Sequence, residues 1–450
     1  MLTFSSGTSG GRTCDGLSRR NFLKLGGLCV GGLTLADLLR LRAAGAIDER
    51  KSHKAVIMVW LEGGPSHIDM YDLKPDAPVE YRGEFPPIRT VVPGLEICDL
   101  MPMQAKIADK LAIIRSMTFE QPDHQPPEEL MTGFHDGGRP SIGAVMSRLQ
   151  ADSGAPRALP PFVQLDATRT ASTRMGFSAY LGRAHEPFLP GADLTALAVD
   201  PKVGLERLQD RRALLSAFDN LRRGVEDLHD STDSVDAYTA QALEMIGSNE
   251  ARDAFDISRE RPELVARYGT GTQLLQAVRL VEAGVKVVSV SFIGDPKASR
   301  AACGFGGGTW DTHGNTGKCL GYLVPQLDQV VHALVTDLSE RGLENDVAVV
   351  FWGEFGRTPR ITPNNPRLPG RGHWPEAGFA LMTGGGLRMG QVIGATDARG
   401  GRPITTPYTP QNVLATLYHV LGIDPSTTLS DLQGRPMYLL DDRRRVEELV

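Results

Sequence analysis

Residues 347–358 read VAVVFWGEFGRT, and residues 371–374 read RGHW. The first five residues are apolar and mostly β-branched, which is typical of a strand that is buried on both faces of a sheet. The run ends at Phe351, and Glu354 follows just past the strand end, a carboxylate between two glycines that permit a tight turn. Because ligands of open parallel sheets bind outside the carboxyl ends of the strands, Glu354 and His373 are predicted to lie where chemistry occurs.

Two other apolar runs end in the same way. Residues 55–61 (AVIMVWL) lead into the polar loop EGGPSHIDMYD, and residues 285–292 (VKVVSVSF) lead into a glycine-rich segment and then WDTHGN. Helical patterns alternate with these strands, which predicts a doubly wound α/β fold. The polar side chains that follow the two strands include Glu62, Asp69, Asp311 and His313.

Composition sets the class of protein. The chain has 450 residues, of which 41% are hydrophobic and 23% charged, as in soluble globular proteins with a large core. The net charge of −6 argues against nucleic acid as the main partner. Charged amphipathic helices are predicted between residues 205 and 246, and we interpret residues 200–260 as a helical insertion without chemistry of its own.

The N-terminus has the pattern of an export signal. Residues 18–24 (SRRNFLK) are typical of a twin-arginine signal, and Ala44-Gly45-Ala46 is a suitable cleavage site, although an arginine pair can also arise by chance. We therefore expect residues 1–46 to be a signal peptide that engages the twin-arginine export machinery, and residues 47–450 to be a single domain. The apolar segment is too short to span a bilayer, so no stable membrane span is expected after cleavage. The expected location is periplasmic or secreted.

Cysteine usage leaves two alternatives open. Cys303 and Cys319 bracket residues 304–318 and could form a disulfide in an oxidising compartment, or they could remain two unpaired thiols. The sequence alone does not supply the Cα geometry that would decide between them.

Histidine and carboxylate residues from three strand ends suggest a metal site. Together they form a ligand set for Zn²⁺ or Mn²⁺, with Ca²⁺ or Mg²⁺ as alternatives if carboxylates dominate. Each residue also has a structural interpretation: Asp311 could cap a turn, and Glu354 could pair with Arg357. Clustering at three strand ends favours the functional interpretation for Asp311, His313, Glu354 and His373.

His124 is a separate candidate. It precedes a helix that is predicted to begin at the prolines of residues 126–127, and a helix N-terminus attracts anions. A substrate contact, a nucleophile or a metal ligand would each fit this position, as would a solvated loop histidine. Ser66, His67 and Asp69 are too close in sequence to form a catalytic triad together, and the chain has no G-x-S-x-G motif.

Several motifs together resemble an exported bacterial family, domain of unknown function 1501, over residues 53–440. They are the twin-arginine start, G-G-P-S-H-x-D-x-x-D-x-K-P (63–75), L-M-T-G (130–133), W-D-T-H-G-N (310–315), G-E-F-G-R-T-P (353–359) and G-R-G-H-W-P (370–375). That family is similar to the alkaline phosphatase and sulfatase superfamily. The resemblance implies an α/β/α sandwich with a mostly parallel central sheet and metals at the strand ends.

Positions carried over from the superfamily imply roles for these residues. Asp311, His313, Glu354 and His373 would be metal ligands, Glu62 or Asp69 would be the early acid, and His124 would lie near the nucleophile position. Three departures stand out. No Ser, Thr or Cys occurs between residues 121 and 130, Glu354-Phe355 replaces an Asp-His pair, and Gly372 replaces an aspartate that is usual in the family.

Two hypotheses follow. The first is an exported metal-dependent hydrolase of phosphate or sulfate esters, acting on a small-molecule or polysaccharide ester by water activation, with Arg357 and His124 contacting the anion. The second is a non-catalytic member of the superfamily that binds a polysaccharide, an anionic ligand or a protein partner. The missing nucleophile favours the second hypothesis, whereas the dense polar loops favour the first.

Overall fold

The computed structural model describes eight ranges of the chain. His124, the predicted signal peptide and most of the predicted helical insertion lie outside them. Within the insertion, the structure shows one helix, Asn249–Phe255, followed by a 3-10 turn, Ile257–Arg259. The described residues are 54–123, 128–135, 138–152, 159–165, 177–190, 249–303, 309–362 and 369–450.

The strands in the described part of the chain build one large sheet and three two-stranded sheets. The run at residue 347 forms a strand that is buried throughout and extends one residue further than predicted, to Trp352. The strands are β1 (Ala55–Trp60), β2 (Pro87–Arg89), β3 (Glu96–Cys98), β4 (Ala112–Met117), β5 (Phe162–Gln164), β6 (Val287–Ser291), β7 (Val347–Trp352), β8 (Gly356–Arg357), β9 (His373–Trp374), β10 (Gly378–Gly384), β11 (Gln391–Ile393), β12 (Thr428–Ser430) and β13 (Pro436–Tyr438).

The central sheet has seven described strands in the order β11-β4-β10-β7-β1-β6-β5. Only β10 runs antiparallel to its neighbours, so the expectation of a mostly parallel sheet is confirmed. Trp60 at the end of β1 pairs with Trp352 on β7 and with Ser291 on β6. The carboxyl ends of these three strands therefore meet at one edge, and their loops leave the sheet side by side.

Helices cover both faces of the sheet. The described helices are α1 (His67–Met70), α2 (Val79–Arg82), α3 (Pro102–Ala105), α4 (Glu128–Thr132), α5 (Ile142–Asp152), α6 (Asn249–Phe255), α7 (Pro262–Arg267), α8 (Thr272–Glu282), α9 (Pro296–Cys303), α10 (Thr316–Glu340) and α11 (Pro410–Val420). None of the described helices is both long and apolar enough to cross a membrane.

Successive side chains of β1 point alternately into two hydrophobic cores, one on each face of the sheet. Ile57 and Val59 belong to the core that α8 and α10 cover, whereas Met58 and Trp60 belong to the core that α4, α5 and α11 cover. Successive strand residues point to opposite faces, so a strand with two apolar faces requires a helical layer on each side. The predicted α/β/α sandwich is confirmed.

Candidate active site

Asp311, His313 and His373 form a compact cluster beyond the carboxyl ends of β6 and β7. Oδ1 of Asp311 lies 3.1 Å from Nε2 of His313 and 3.3 Å from Nε2 of His373. The two Nε2 atoms are 2.8 Å apart. Three side chains that are up to 62 residues apart in sequence thus direct their donor atoms at one point.

Neighbouring backbone contacts fix the two segments that carry the cluster. Trp310 is fully buried, donates its backbone N–H to the carbonyl of Glu62 at 2.8 Å, and donates its indole N–H to the carbonyl of Phe292 at 2.8 Å. His373 lies on β9, which pairs with β8 so that His373 is opposite Arg357. A Cβ at Gly370 would collide with the backbone of His313, so glycine is required where the two segments meet.

The carbonyl of Pro122 orients His373. Nδ1 of His373 lies 2.5 Å from this oxygen, which can only accept a hydrogen bond. Nδ1 therefore carries a proton, and in the neutral ring the lone pair of Nε2 faces Asp311 and His313. The ring of Phe355 lies against the imidazole with centroids 4.3 Å apart, which limits rotation of the ring.

Arg357 is placed differently from our expectation. Its side chain is 0% exposed, and its guanidinium donates to the carbonyls of Gly63, Gly64 and Arg371 and to Oδ1 of Asp311. Burial lowers the pKa of Arg357, while the carboxylate of Asp311 opposes that shift. A guanidinium committed to these acceptors does not fit direct contact with a substrate anion. Its role here is to hold Asp311 and to tie together two strand-end loops.

Glu354 is not brought into the cluster. Its Oε2 accepts a hydrogen bond of 2.8 Å from the indole of Trp60, and its Oε1 accepts one of 2.9 Å from the backbone N–H of Gly63. The carboxylate therefore joins the end of β7 to the end of β1. The cluster of Asp311, His313 and His373 in the described residues does not include Glu354, and its role as a ligand stays a prediction.

Neither candidate for the early acid lies in the cluster. Asp69 forms a buried two-point ion pair with Arg371, at 2.7 Å to Nε and 3.1 Å to Nη2, and accepts a hydrogen bond from Ser66. Glu62 contributes its backbone carbonyl to Trp310, and its side chain is half-buried. The structure thus gives Asp69 a structural partner and places both acids outside the three-residue cluster, and their role as ligands stays a prediction.

Sequence reasoning missed two contributors to this region. The carbonyl of Pro122 has no sequence signal, because any residue supplies a backbone oxygen. Arg371 lies in the RGHW motif next to the candidate ligand His373, and an arginine in such a position is a signal for ion pairing with an acidic residue elsewhere.

Cys303 and Cys319 are buried next to each other, one at the end of α9 and one in the first turn of α10. The two thiols are within hydrogen-bonding reach, and Asn315 donates from Nδ2 to the carbonyl of Cys303 at 3.3 Å. Burial raises the pKa of the Cys319 thiol, and Cys303 adds to the shift. Both thiols are free in this structure, and their placement is compatible with later oxidation.

Comparison with known proteins gives one family match. The model for the family described as "Protein of unknown function (DUF1501)" matches residues 53–450, which agrees with the motif-based resemblance. No curated protein matches the sequence.

Solved structures of three bacterial proteins are among those to which the chain is similar. The PsFucS1 sulfatase from Pseudoalteromonas sp. is 11% identical, with a TM-score of 0.33 and coverage of 86% of this chain and 70% of that one. The phosphonate monoester hydrolase SpPMH from Silicibacter pomeroyi is 11% identical, with a TM-score of 0.39 and coverage of 88% and 76%. The C-terminal periplasmic domain of EcEptC from Escherichia coli, in complex with Zn, is 10% identical, with a TM-score of 0.37 and coverage of 90% and 94%.

Proposed function

The chain belongs to the DUF1501 family, and we propose that it is a metal-dependent hydrolase of phosphate or sulfate esters. The observation that supports this proposal is the convergence of Asp311, His313 and His373 beyond the carboxyl edge of a mostly parallel sheet. Ligands of such sheets bind at this edge, so the cluster lies where a substrate can reach it.

The three side chains fit a divalent transition metal. Two imidazole nitrogens and one carboxylate oxygen form a ligand set of catalytic zinc, which leaves a further position for water or substrate. Metal–ligand bonds of about 2 Å place neighbouring donors roughly 3 Å apart, and the observed separations are 2.8–3.3 Å. Because imidazoles predominate, Zn²⁺ or Mn²⁺ fits better than Ca²⁺ or Mg²⁺.

Partners behind the three side chains support the same assignment. A histidine ligand usually donates a hydrogen bond from the N–H of its second ring nitrogen to a carbonyl or carboxylate oxygen. Nδ1–H of His373 does so to the carbonyl of Pro122. Ligating carboxylates are in turn hydrogen-bonded, as Asp311 is by Arg357. The buried guanidinium also offsets the negative charge of Asp311.

A divalent ion in this cluster supplies Lewis acidity, which activates water and polarises a phosphoryl or sulfuryl oxygen. The residues of the chain orient the donors: Pro122 keeps the proton of His373 on Nδ1, and Arg357 holds Oδ1 of Asp311. Water activation does not need the serine, threonine or cysteine nucleophile that residues 121–130 lack. The substrate we propose is an ester of a small molecule or of a polysaccharide.

One observation favours a second candidate, a binding protein without turnover. Arg357, the residue expected to stabilise the charge of the transition state, is enclosed by backbone carbonyls. If no other cation meets the substrate, the site would bind a ligand but accelerate its hydrolysis little.

Metal analysis combined with turnover tests the hydrolase. We expect about one Zn²⁺ or Mn²⁺ per purified chain, together with hydrolysis of an aryl phosphate or aryl sulfate. Because the Lewis acid leaves with the metal, a chelator should abolish turnover and re-addition of the ion should restore it. Absence of both metal and turnover contradicts the proposal, whereas stoichiometric metal without turnover supports the binding protein.

We further propose that the chain is exported by the twin-arginine route to the periplasm or beyond, and that Cys303 and Cys319 form a disulfide there. The support is the SRRNFLK segment and the adjacency of the two thiols. A thiol–disulfide oxidant of the periplasm would take up the two electrons and two protons. Closing a loop of this length stabilises a protein by about 3 kcal/mol in the loop-entropy estimate.

Fractionation followed by thiol alkylation and mass spectrometry checks both parts of this prediction. In the periplasmic fraction Cys303 and Cys319 should resist alkylation after denaturation, whereas Cys98, a buried cysteine, should react and serve as the internal control. The Arg19→Lys/Arg20→Lys variant should stay in the cytoplasm with all three thiols reactive. Exported protein with reactive Cys303 and Cys319 contradicts the disulfide, and export of the double variant contradicts the twin-arginine route.

A further inference from the structure

A pocket lies on the other side of β9 from the Asp311 cluster. Trp374 follows His373 on this strand, and successive strand residues point to opposite sides. His373 faces Asp311, whereas the indole of Trp374 donates to the carbonyl of Gly401 at 2.7 Å. The pocket has a volume of about 410 Å³, and its lining includes Tyr81, Pro359, Trp374, Arg399 and Arg402.

The loop of residues 397–402, which lines this pocket, is held by hydrogen bonds within itself. The carboxylate of Asp397 accepts hydrogen bonds from the backbone N–H groups of Arg399 at 2.8 Å, Gly401 at 3.0 Å and Arg402 at 3.1 Å. Partial burial would raise the pKa of Asp397, but these hydrogen bonds hold it below its usual range. The Asp397 carboxylate is therefore occupied by the backbone of its own loop. The same hydrogen bonds hold the backbones of Arg399 and Arg402 in place.

The two arginines of the pocket differ in their partners. Arg402 forms an ion pair of 2.5 Å with Glu376. Arg399 is exposed and lies over the ring of Tyr81, 5.0 Å from its centroid, and no carboxylate of the described residues forms an ion pair with it. A guanidinium stacked on an aromatic ring keeps its N–H groups available for the oxygens of an anion.

We propose that this pocket binds an anionic saccharide, with a sugar ring against Trp374 and a sulfate or carboxylate substituent at Arg399, which the ring of Tyr81 positions. Aromatic side chains with a polar edge present flat apolar faces that suit the C–H face of a sugar ring, and Arg399 supplies the charge-assisted hydrogen bonds. A free inorganic anion has no apolar face to pack against an aromatic ring, so the aromatic residues of the pocket favour a sugar over such an anion.

This site goes beyond the proposed hydrolase, because it requires neither metal nor turnover. Titration calorimetry with a sulfated dextran hexasaccharide tests it, with the unsulfated hexasaccharide and inorganic sulfate as comparison ligands. We expect the sulfated sugar to bind wild type and His373→Ala with equal affinity. Both comparison ligands should bind at least about tenfold more weakly, since each lacks one of the two kinds of contact.

Matched variants locate the site. Arg399→Ala should weaken binding at least about tenfold through loss of the charge-assisted contacts. Arg435→Ala removes an exposed arginine from the turn between β12 and β13 and should not alter affinity. Tyr81→Ala should weaken binding, whereas Tyr81→Phe, which keeps the ring, should retain it.

Several outcomes overturn the inference. Equal affinities for Arg399→Ala and Arg435→Ala would show attraction to charge in general, and equal affinities for sulfated and unsulfated sugar would remove the role of the anion. Loss of binding in His373→Ala would place the ligand in the Asp311 cluster instead. No binding to wild type would exclude the site, whether or not the protein proves to be a hydrolase.

Discussion

The His373→Ala variant is expected to lose its bound metal and to hydrolyse an aryl phosphate or aryl sulfate at least about a hundredfold more slowly than wild type. Loss of a residue that only supports a ligand already costs about 10–100-fold in metal affinity or activity, and removal of a ligand should cost more. His373 is also the donor whose orientation is best defined, because Pro122 and Phe355 hold its ring. Elemental analysis and initial rates at saturating substrate give the two measurements.

A matched control is available in His419. This histidine is exposed near the end of α11, where its Nδ1 lies 3.0 Å from Nη1 of Arg445. His419→Ala removes the same chemical group away from the cluster, so metal content and rate should equal those of wild type. Full metal content in folded His373→Ala would contradict the assignment of the cluster as the metal site. Equal loss in both variants would indicate that the effect is not specific to the cluster.

Part of the Asp311, His313 and His373 cluster can be predicted from the polar loops that follow the strands. Asp311 and His313 follow β6, and His373 follows β7 after a loop, so their meeting depends on where those strands lie in the sheet. β1 lies between β6 and β7, and all three run parallel, so their carboxyl ends share one edge. Periodicity and the position of the polar loops predict parallel strands with polar residues after their carboxyl ends, whereas the order of the strands comes from the structure.

The sequence does not predict which way the side chains of Glu354 and Arg357 point. Glu354 follows β7 directly, yet its carboxylate turns toward Trp60 and Gly63 rather than toward Asp311. Arg357 points at carbonyls because the loops around it leave those acceptors buried and in need of a donor. Both outcomes depend on contacts between segments about 290 residues apart, which no local pattern encodes.

The pairing of Asp69 with Arg371 is the other such contact, and it leads to the largest predicted effect on stability. Arg371 is 0% exposed, and beyond Asp69 it donates to the backbone carbonyls of Tyr81 and Thr358. Asp69→Ala would leave this guanidinium buried without a counter-charge. Breaking one side of a buried ion pair costs about 3–5 kcal/mol, and we expect a loss of unfolding free energy in that range.

Denaturant unfolding measures this loss, and an exposed ion pair calibrates it. Glu340 binds Arg267 through two hydrogen bonds but is half-exposed, so Glu340→Ala should cost no more than about 1 kcal/mol. If Asp69→Ala does not yield folded protein, Asp69→Asn keeps the shape and one acceptor oxygen while removing the charge, and it should be less destabilised. A loss for Asp69→Ala no greater than that for Glu340→Ala would contradict the argument.

The same variants separate a structural role for Asp69 from the ligand role that its position in the motif suggested. A metal ligand is usually held in a site whose charges repel in the absence of the ion, so its removal should lower metal content while leaving the stability of the metal-free protein unchanged or higher. The ion pair predicts the reverse: metal-free Asp69→Asn should be less stable than metal-free wild type, and the folded variant should retain its metal. Because Arg371 and His373 are separated by one residue, a small loss of metal affinity can pass from Asp69 to the cluster through the backbone. Metal loss as complete as in His373→Ala, without loss of stability, would instead return Asp69 to the set of ligands.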